Sequence, residues 1–213
     1  MTLMITAFGP FDGGWNVSDR LLDALERDRA EVEEAWGAPV AFVRLVVDTE
    51  TIERQLDDAL AEVRPSHLLL MGQAAARDGL TLERAARNRR DLAAPDACGR
   101  RGPLGPVRAG GPDLRAATWP DLAGAAAALA QAGFSATVSD DAGAHLCNQA
   151  LYLALERAGP PATFLHLPPC AEQVADRVPA ALRRPKAPRL TIAEMARAVG
   201  VVLRHTRTIA AAA

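Results

Sequence analysis

The chain has 213 residues, 49% hydrophobic and 23% charged, with a formal net charge of -2. That length supports a substantial buried core, and the balanced charge argues against bulk binding of nucleic acid or a membrane surface, since either needs a basic face. Three cysteines are too few, and odd in number, for a disulfide framework, which predicts a reducing, cytoplasmic setting.

No apolar run approaches the ~20 residues of a membrane-spanning helix. The opening Met1-Thr-Leu-Met-Ile-Thr-Ala-Phe8 lacks the basic start of a signal peptide, and Leu3 to Ala7 reads as a first strand. The loop Phe8-Gly9-Pro10-Phe11-Asp12-Gly13-Gly14 carries two aromatics, which either cap the core or offer a ligand a flat apolar wall. Ser18 to Glu34 is predicted helical on the stripe Leu21, Leu22 and Leu25. Val40 to Val47 follows as a nearly continuous apolar strand, as in buried parallel sheets. Asp48 is the expected cap of a helix bearing Ile52, Leu56, Ala59, Leu60 and Val63 on one face. His67 to Met71 is another buried strand.

Gly72 to Leu82 leaves that strand at its carboxyl end, where open α/β sheets place ligands; Gln73, Arg77 and Glu83 lie in this region. Arg84 to Gly111, rich in arginine, glycine and proline and holding Cys98, reads as an irregular or hairpin excursion with solvated arginines rather than an RNA-binding patch. Pro120-Asp121 opens an alanine-rich helix ending near Gly133. Ala162 to Leu167 is a further strand, and Thr191-Ile-Ala-Glu194 is a capping box for a final helix through Leu203. The alternation of strand and helix predicts an α/β fold with a mainly parallel sheet. Neither repeat nor linker is evident, so residues 1–213 read as a single domain.

The chemically richest stretch runs from Phe134 to Leu155. Phe134, Ala136 and Val138 alternate as a strand, Asp140, Asp141 and Gly143 supply a turn, and Leu146, Ala150 and Leu153 recur at helical spacing. Cys147 then falls in the first turn of a helix, where unpaired N–H groups favour a thiolate and can hold a developing oxyanion. Alkylation at neutral pH is accordingly expected to favour Cys147 over Cys98 and Cys170.

A cysteine nucleophile needs a base and a group to orient it. His145 is turned about 200° from Cys147 if the helix has begun there. His67 starts its strand at the end remote from the cleft, and His205 lies in a polar tail. His166, at the carboxyl end of its strand, is expected on the same sheet edge as the head of the Cys147 helix, with Glu83 preferred over Asp140 and Asp141 as the carboxylate. The competing reading makes Cys147 a small buried hydrophobe and His166 a core residue. No Cys-x-x-Cys or helical His pair suggests a metal, and the glycine loop lacks the Gly-Lys-Ser/Thr ending of a phosphate loop.

Four segments, in order, resemble the pyroglutamyl peptidase I (pyrrolidone-carboxylate peptidase) family of cysteine peptidases. They are Ala7 to Gly14 with Asn16 and Ser18; Gly72-Gln73 through Thr81-Leu-Glu83-Arg84; Val138-Ser139 through Ala142-Gly143 to Cys147-Asn148; and Phe164-Leu-His166-Leu-Pro168 with Glu172-Gln173. The resemblance implies an α/β/α sandwich, often a homotetramer, that removes an N-terminal pyroglutamate (5-oxoproline) from peptides without metal or cofactor. It assigns the catalytic trio to Cys147, His166 and Glu83, the aromatic pair to Phe8 and Phe11, and substrate-side polar roles to Asn16 and Gln73. Departures are Val17 for the family's proline, Ala75 and Ala76 for two glycines, and Ala93 for an arginine, for which Arg89 or Arg90 are nearby substitutes. Two alternatives stay open: a binding protein without turnover, and a cysteine amidase of different acyl preference.

Overall fold

The computed structural model describes residues 1–11, 13–92, 94–157, 159–183 and 189–212. In chain order the elements are β1 (Leu3–Phe8), α1 (Val17–Arg27), α2 (Arg29–Trp36), β2 (Val40–Leu45), α3 (Ile52–Val63), β3 (His67–Gln73), β4 (Leu80–Glu83), β5 (Ala85–Arg87), β6 (Leu114–Ala116), α4 (Leu122–Gln131), β7 (Ala136–Ser139), α5 (Leu146–Glu156), β8 (Ala162–Leu167), α6 (Ala171–Ala175), α7 (Pro179–Leu182) and α8 (Ile192–Ala212).

The main sheet has the order β2-β1-β3-β8-β4-β7. Its first four strands run parallel, whereas β4 is antiparallel to β8 and parallel to β7. Side chains alternate across each strand, and this sorts the molecule into two cores. Leu3, Ile5 and Ala7 of β1 pack with apolar faces of α1, α2, α4 and α8. Met4 and Phe8 pack with those of α3 and α5. Helices therefore cover both faces, as the α/β/α expectation requires. Among the described residues no helix is long and apolar enough to cross a membrane.

Several boundaries differ from the sequence reading. The expected Ser18 to Glu34 helix is two helices, broken at Asp28, whose φ of -97° and ψ of 31° depart from helical values. Asp48 does not cap α3. Thr51 holds that position, while Asp48 accepts the Glu50 N–H at 2.9 Å and pairs with Arg100. The capping box is present, Glu194 Oε2 accepting the Thr191 N–H at 2.8 Å and Thr191 Oγ1 accepting the Glu194 N–H at 3.1 Å. Its helix runs past Leu203 to Ala212, because the alanines there are strong helix formers.

The Arg84 to Gly111 excursion is half of an antiparallel hairpin that closes with β6; Arg84 and Arg89 are exposed, while two of its arginines are tied to carboxylates of the body. Arg100 pairs with Asp48, Glu50 and Asp96, and Arg108 with Glu53 and Glu156. The excursion is thus a folded layer against α3 and α5. Asn148, fully buried in α5, fastens it: Oδ1 accepts the Arg87 N–H at 2.8 Å, and Nδ2 donates to the carbonyls of Arg87 and Arg89 at 2.8 and 2.9 Å. Tyr152 Oη adds a bond to the Pro112 carbonyl at 2.9 Å.

Candidate active site

Cys147, His166 and Glu83 lie on one face of the sheet, beneath the head of α5, whereas Asn16 and Gln73 bond on the α1 side. Leu68 and Leu70 of β3 face the α3 and α5 side, so period-two alternation puts Gly72 there as well. Gly72 is level with His166 in the parallel β3–β8 ladder. Phe164, two residues before His166, belongs to the same core, and the two rings are 4.6 Å apart between centroids. Cys147, the second residue of α5 and half-buried, packs against that core. A Cβ built on Gly72 would stand 3.0 Å from Cys147 Sγ and 2.7 Å from Phe164 Cζ. The thiol and the imidazole therefore border one compartment, separated by the bare glycine and the edge of a phenyl ring.

Glu83 reaches this face because β4 runs against β8. Thr81 lies opposite His166 and Glu83 opposite Phe164. The expectation that catalytic groups gather at one carboxyl edge is corrected here: β7 and β4 are reversed relative to β8, and the residues converge over the sheet face. Glu83 is fully buried and His166 is 4% exposed. His166 Nδ1 lies 2.8 Å from Glu83 Oε1, which makes Nδ1 the donor and leaves Nε2 to exchange a proton. Thr163 Oγ1 holds the Glu83 carbonyl at 2.9 Å. Sequence reasoning placed Arg77 in this region without a role. Its Nη2 lies 3.2 Å from Glu83 Oε1, 3.2 Å from Ser139 Oγ and 2.7 Å from the Asp141 carbonyl.

The thiolate expectation is also corrected. Burial pushes the Cys147 thiol up to about 12; its own N–H pulls the other way, and the Glu83 charge adds to the rise. One helix N-terminus does not offset desolvation beside a carboxylate. Among the described residues no hydrogen bond joins Cys147 Sγ to His166.

The aromatic pair divides. Phe8 is 3% exposed and stacks on Phe164 at 6.4 Å. Phe11 stacks at 5.6 Å on His145, whose Nε2 lies 3.1 Å from the Ala94 carbonyl. Asn16 caps α1 by accepting the Ser18 N–H at 3.0 Å and donates to the Gly9 carbonyl at 3.3 Å. Gln73 Oε1 accepts from the Val17 N–H and Gln173 Nε2, both at 3.0 Å. Both polar side chains thus brace the loop that carries the phenylalanines. Asp12 and Ala93 lie outside the described residues.

The remaining histidines have other partners. His67 packs edge-on to Trp36 and Trp119, and burial lowers its pKa. His205 Nε2 meets Asp121 Oδ2 at 2.9 Å. Among the described residues no group of three or more His, Cys, Asp and Glu is arranged to hold a metal.

A thiol, an imidazole and a buried carboxylate against one face of an α/β/α sheet make up the chemical set of a cysteine-type hydrolase. The family model described as pyroglutamyl peptidase matches residues 1–206, and the chain belongs to that family. A pyrrolidone-carboxylate peptidase of Chromobacterium violaceum is 37% identical over 172 residues, 81% of this chain and 80% of the relative. One from Streptococcus pyogenes is 32% identical over 182 residues, covering 83% and 82%. The crystal structure of pyrrolidone carboxyl peptidase from Thermus thermophilus superposes with a TM-score of 0.83 at 37% identity, over 95% of this chain and 99% of that one. The corresponding structure from Fervidobacterium islandicum gives 0.85 at 26% identity, over 98% and 99%.

Proposed function

We propose that this chain, acting as one domain, hydrolyses the amide bond that follows an N-terminal pyroglutamyl residue. Cys147 Sγ attacks the acyl carbon as its proton passes to His166 Nε2, and the oxyanion is met by N–H groups at the head of α5. His166 then gives that proton to the leaving amine, and a thioester remains. Water attacks the thioester with His166 as base, and the proton returns to sulfur as the acid departs. Glu83 fixes the imidazole tautomer and supports its positive charge during each transfer. Attack and proton transfer are coupled, Sγ losing its proton to Nε2 as the bond to carbon forms.

The observation that carries this reading is the 2.8 Å contact between His166 Nδ1 and buried Glu83, on the face to which Cys147 is held, in a chain of this family. Phe11 supplies apolar contact for a small neutral lactam, with Phe8 packed behind it on Phe164 and with Asn16 and Gln73 holding their loop in register. A pocket that pairs the lactam amide rejects proline, which lacks the ring carbonyl, by a few kcal/mol. No metal or cofactor enters the scheme. We also propose a cytoplasmic homo-oligomer, in keeping with three free cysteines and with exposed Val46, Leu104 and Leu114, which a second copy would cover; light scattering tests the assembly.

The deciding assay compares pyroglutamyl, prolyl and alanyl amine reporters with wild type and Cys147→Ala. Preference for the pyroglutamyl reporter, abolished in the variant, is expected. Faster release from another reporter would assign a different acyl group, and lactam binding without turnover would make the chain a binding protein.

A further inference from the structure

We propose that Arg77 is a positioning residue that locks the Glu83 carboxylate and the turn leading into the Cys147 helix into one unit, so that base and nucleophile are set by a single guanidinium. The inference rests on the reaction proposed above but concerns a residue that takes no part in bond making.

Glu83 Oε1 accepts from His166 on one side and from Arg77 Nη2, at 3.2 Å, on the other. Its side chain is 0% exposed, while that of Arg77 is 35% exposed. A buried carboxylate facing only an imidazole pays a desolvation cost that a fixed cation offsets. Among the described residues Arg77 is the only arginine or lysine paired with Glu83. The titratable groups around this carboxylate are His166 from β8, Arg77 from the β3–β4 loop and Cys147 from α5.

The same nitrogen reaches the turn between β7 and α5, at Ser139 Oγ and the Asp141 carbonyl. That turn is further wound by Ser139 Oγ accepting the Asp141 N–H at 3.0 Å and by Asp141 Oδ1 accepting the Gly143 N–H at 3.0 Å. Four residues later comes Cys147. All three contacts come from Nη2, whose two N–H bonds are fixed in the guanidinium plane. Lysine supplies the charge without that geometry, which separates the two parts of the role.

The test uses Arg77→Gln and Arg77→Lys, each checked for a wild-type thermal transition, with the pyroglutamyl reporter and with iodoacetamide labelling of Cys147 in a Cys98→Ser background. Without the cation a buried carboxylate favours its proton, so the acidic limb of kcat/KM in Arg77→Gln is expected to move to higher pH. Its kcat should fall by about 10- to 100-fold with KM little changed. Labelling of Cys147 at neutral pH should slow in parallel. Arg77→Lys should return the acidic limb toward wild type while kcat stays low. An Arg77→Gln protein with the wild-type acidic limb, kcat and labelling rate overturns the proposal, as does a loss that appears in KM alone. If wild type does not cleave the reporter, the proposed reaction fails, and the labelling comparison still decides the role of Arg77. Should Arg77→Gln not fold, the Arg77→Lys profile decides: unchanged kcat overturns the proposal.

Discussion

Gly72 and His166 stand level in neighbouring parallel strands, and the space a side chain would occupy on Gly72 is filled by Cys147 Sγ and the edge of Phe164. The absence of a Cβ at that point lets sulfur and imidazole share one compartment.

Gly72→Ala therefore has nowhere to put its methyl group. Phe164 and Cys147 must both yield, at a cost of about 1–3 kcal/mol for overpacking. Displacing the sulfur should lower kcat by a larger factor than the stability loss alone explains. Reporter kinetics alongside thermal denaturation check this; a variant with normal kcat would show that Sγ need not sit against β3.

Labelling kinetics test the thiol. At neutral pH the exposed Cys98 should react with iodoacetamide before Cys147, reversing the order expected from the sequence, and the fully buried Cys170, pushed up to about 12 chiefly by burial, should react last. The Cys147 rate should climb steeply with pH. Mass spectrometry after timed exposure reads the order, and Cys147 reacting ahead of Cys98 would reinstate a resting thiolate.

Asn148 satisfies three backbone groups of the hairpin from inside α5. Asn148→Leu orphans them, each at about 1–3 kcal/mol when buried, and should raise hydrogen exchange at the Arg87 amide while β1 and β3 amides stay protected. Asn148→Asp should be as damaging, since its acid turns acceptor oxygens toward two carbonyls.

Asp96 gives an acid-side prediction. Burial by itself would raise its pKa, but hydrogen bonds from the Arg100, Thr49 and Cys98 N–H groups and from Thr49 Oγ1 hold it at about 2. With the folded value below the ordinary 3.8, the stabilisation is present above that ordinary value and is lost as pH falls toward the folded one. Asp96→Asn should flatten the fall in denaturation midpoint across that window, at the expense of stability near neutrality. An unchanged slope would mean that Asp96 keeps its ordinary affinity for protons.

Period-two and helical patterns made much of this architecture readable. The run Ala162–Leu167 is a strand over those very residues because four of its six residues are apolar and prolines bound it. Thr191 and Glu194 announced their helix because a capping box is local chemistry. What escaped depends on distance. Asp28 interrupts a continuous apolar stripe without a proline or glycine to signal it. The direction of β4 follows from pairing with β8, a strand some eighty residues later, as the bond from Thr163 to Glu83 illustrates. Arg77 looked like any loop arginine because its acceptors at positions 139 and 141 are remote in sequence. The burial that pushes the Cys147 thiol up escaped because helix position is visible in sequence and desolvation is not.

The strand order carries a consequence for biosynthesis. β8, the last strand to leave the ribosome, fills the slot between β3 and β4, so until it arrives the sheet exists as two unjoined halves. A nascent polypeptide that has already exposed Cys147 then lacks His166, and under the proposed reaction the closing of the sheet completes the site.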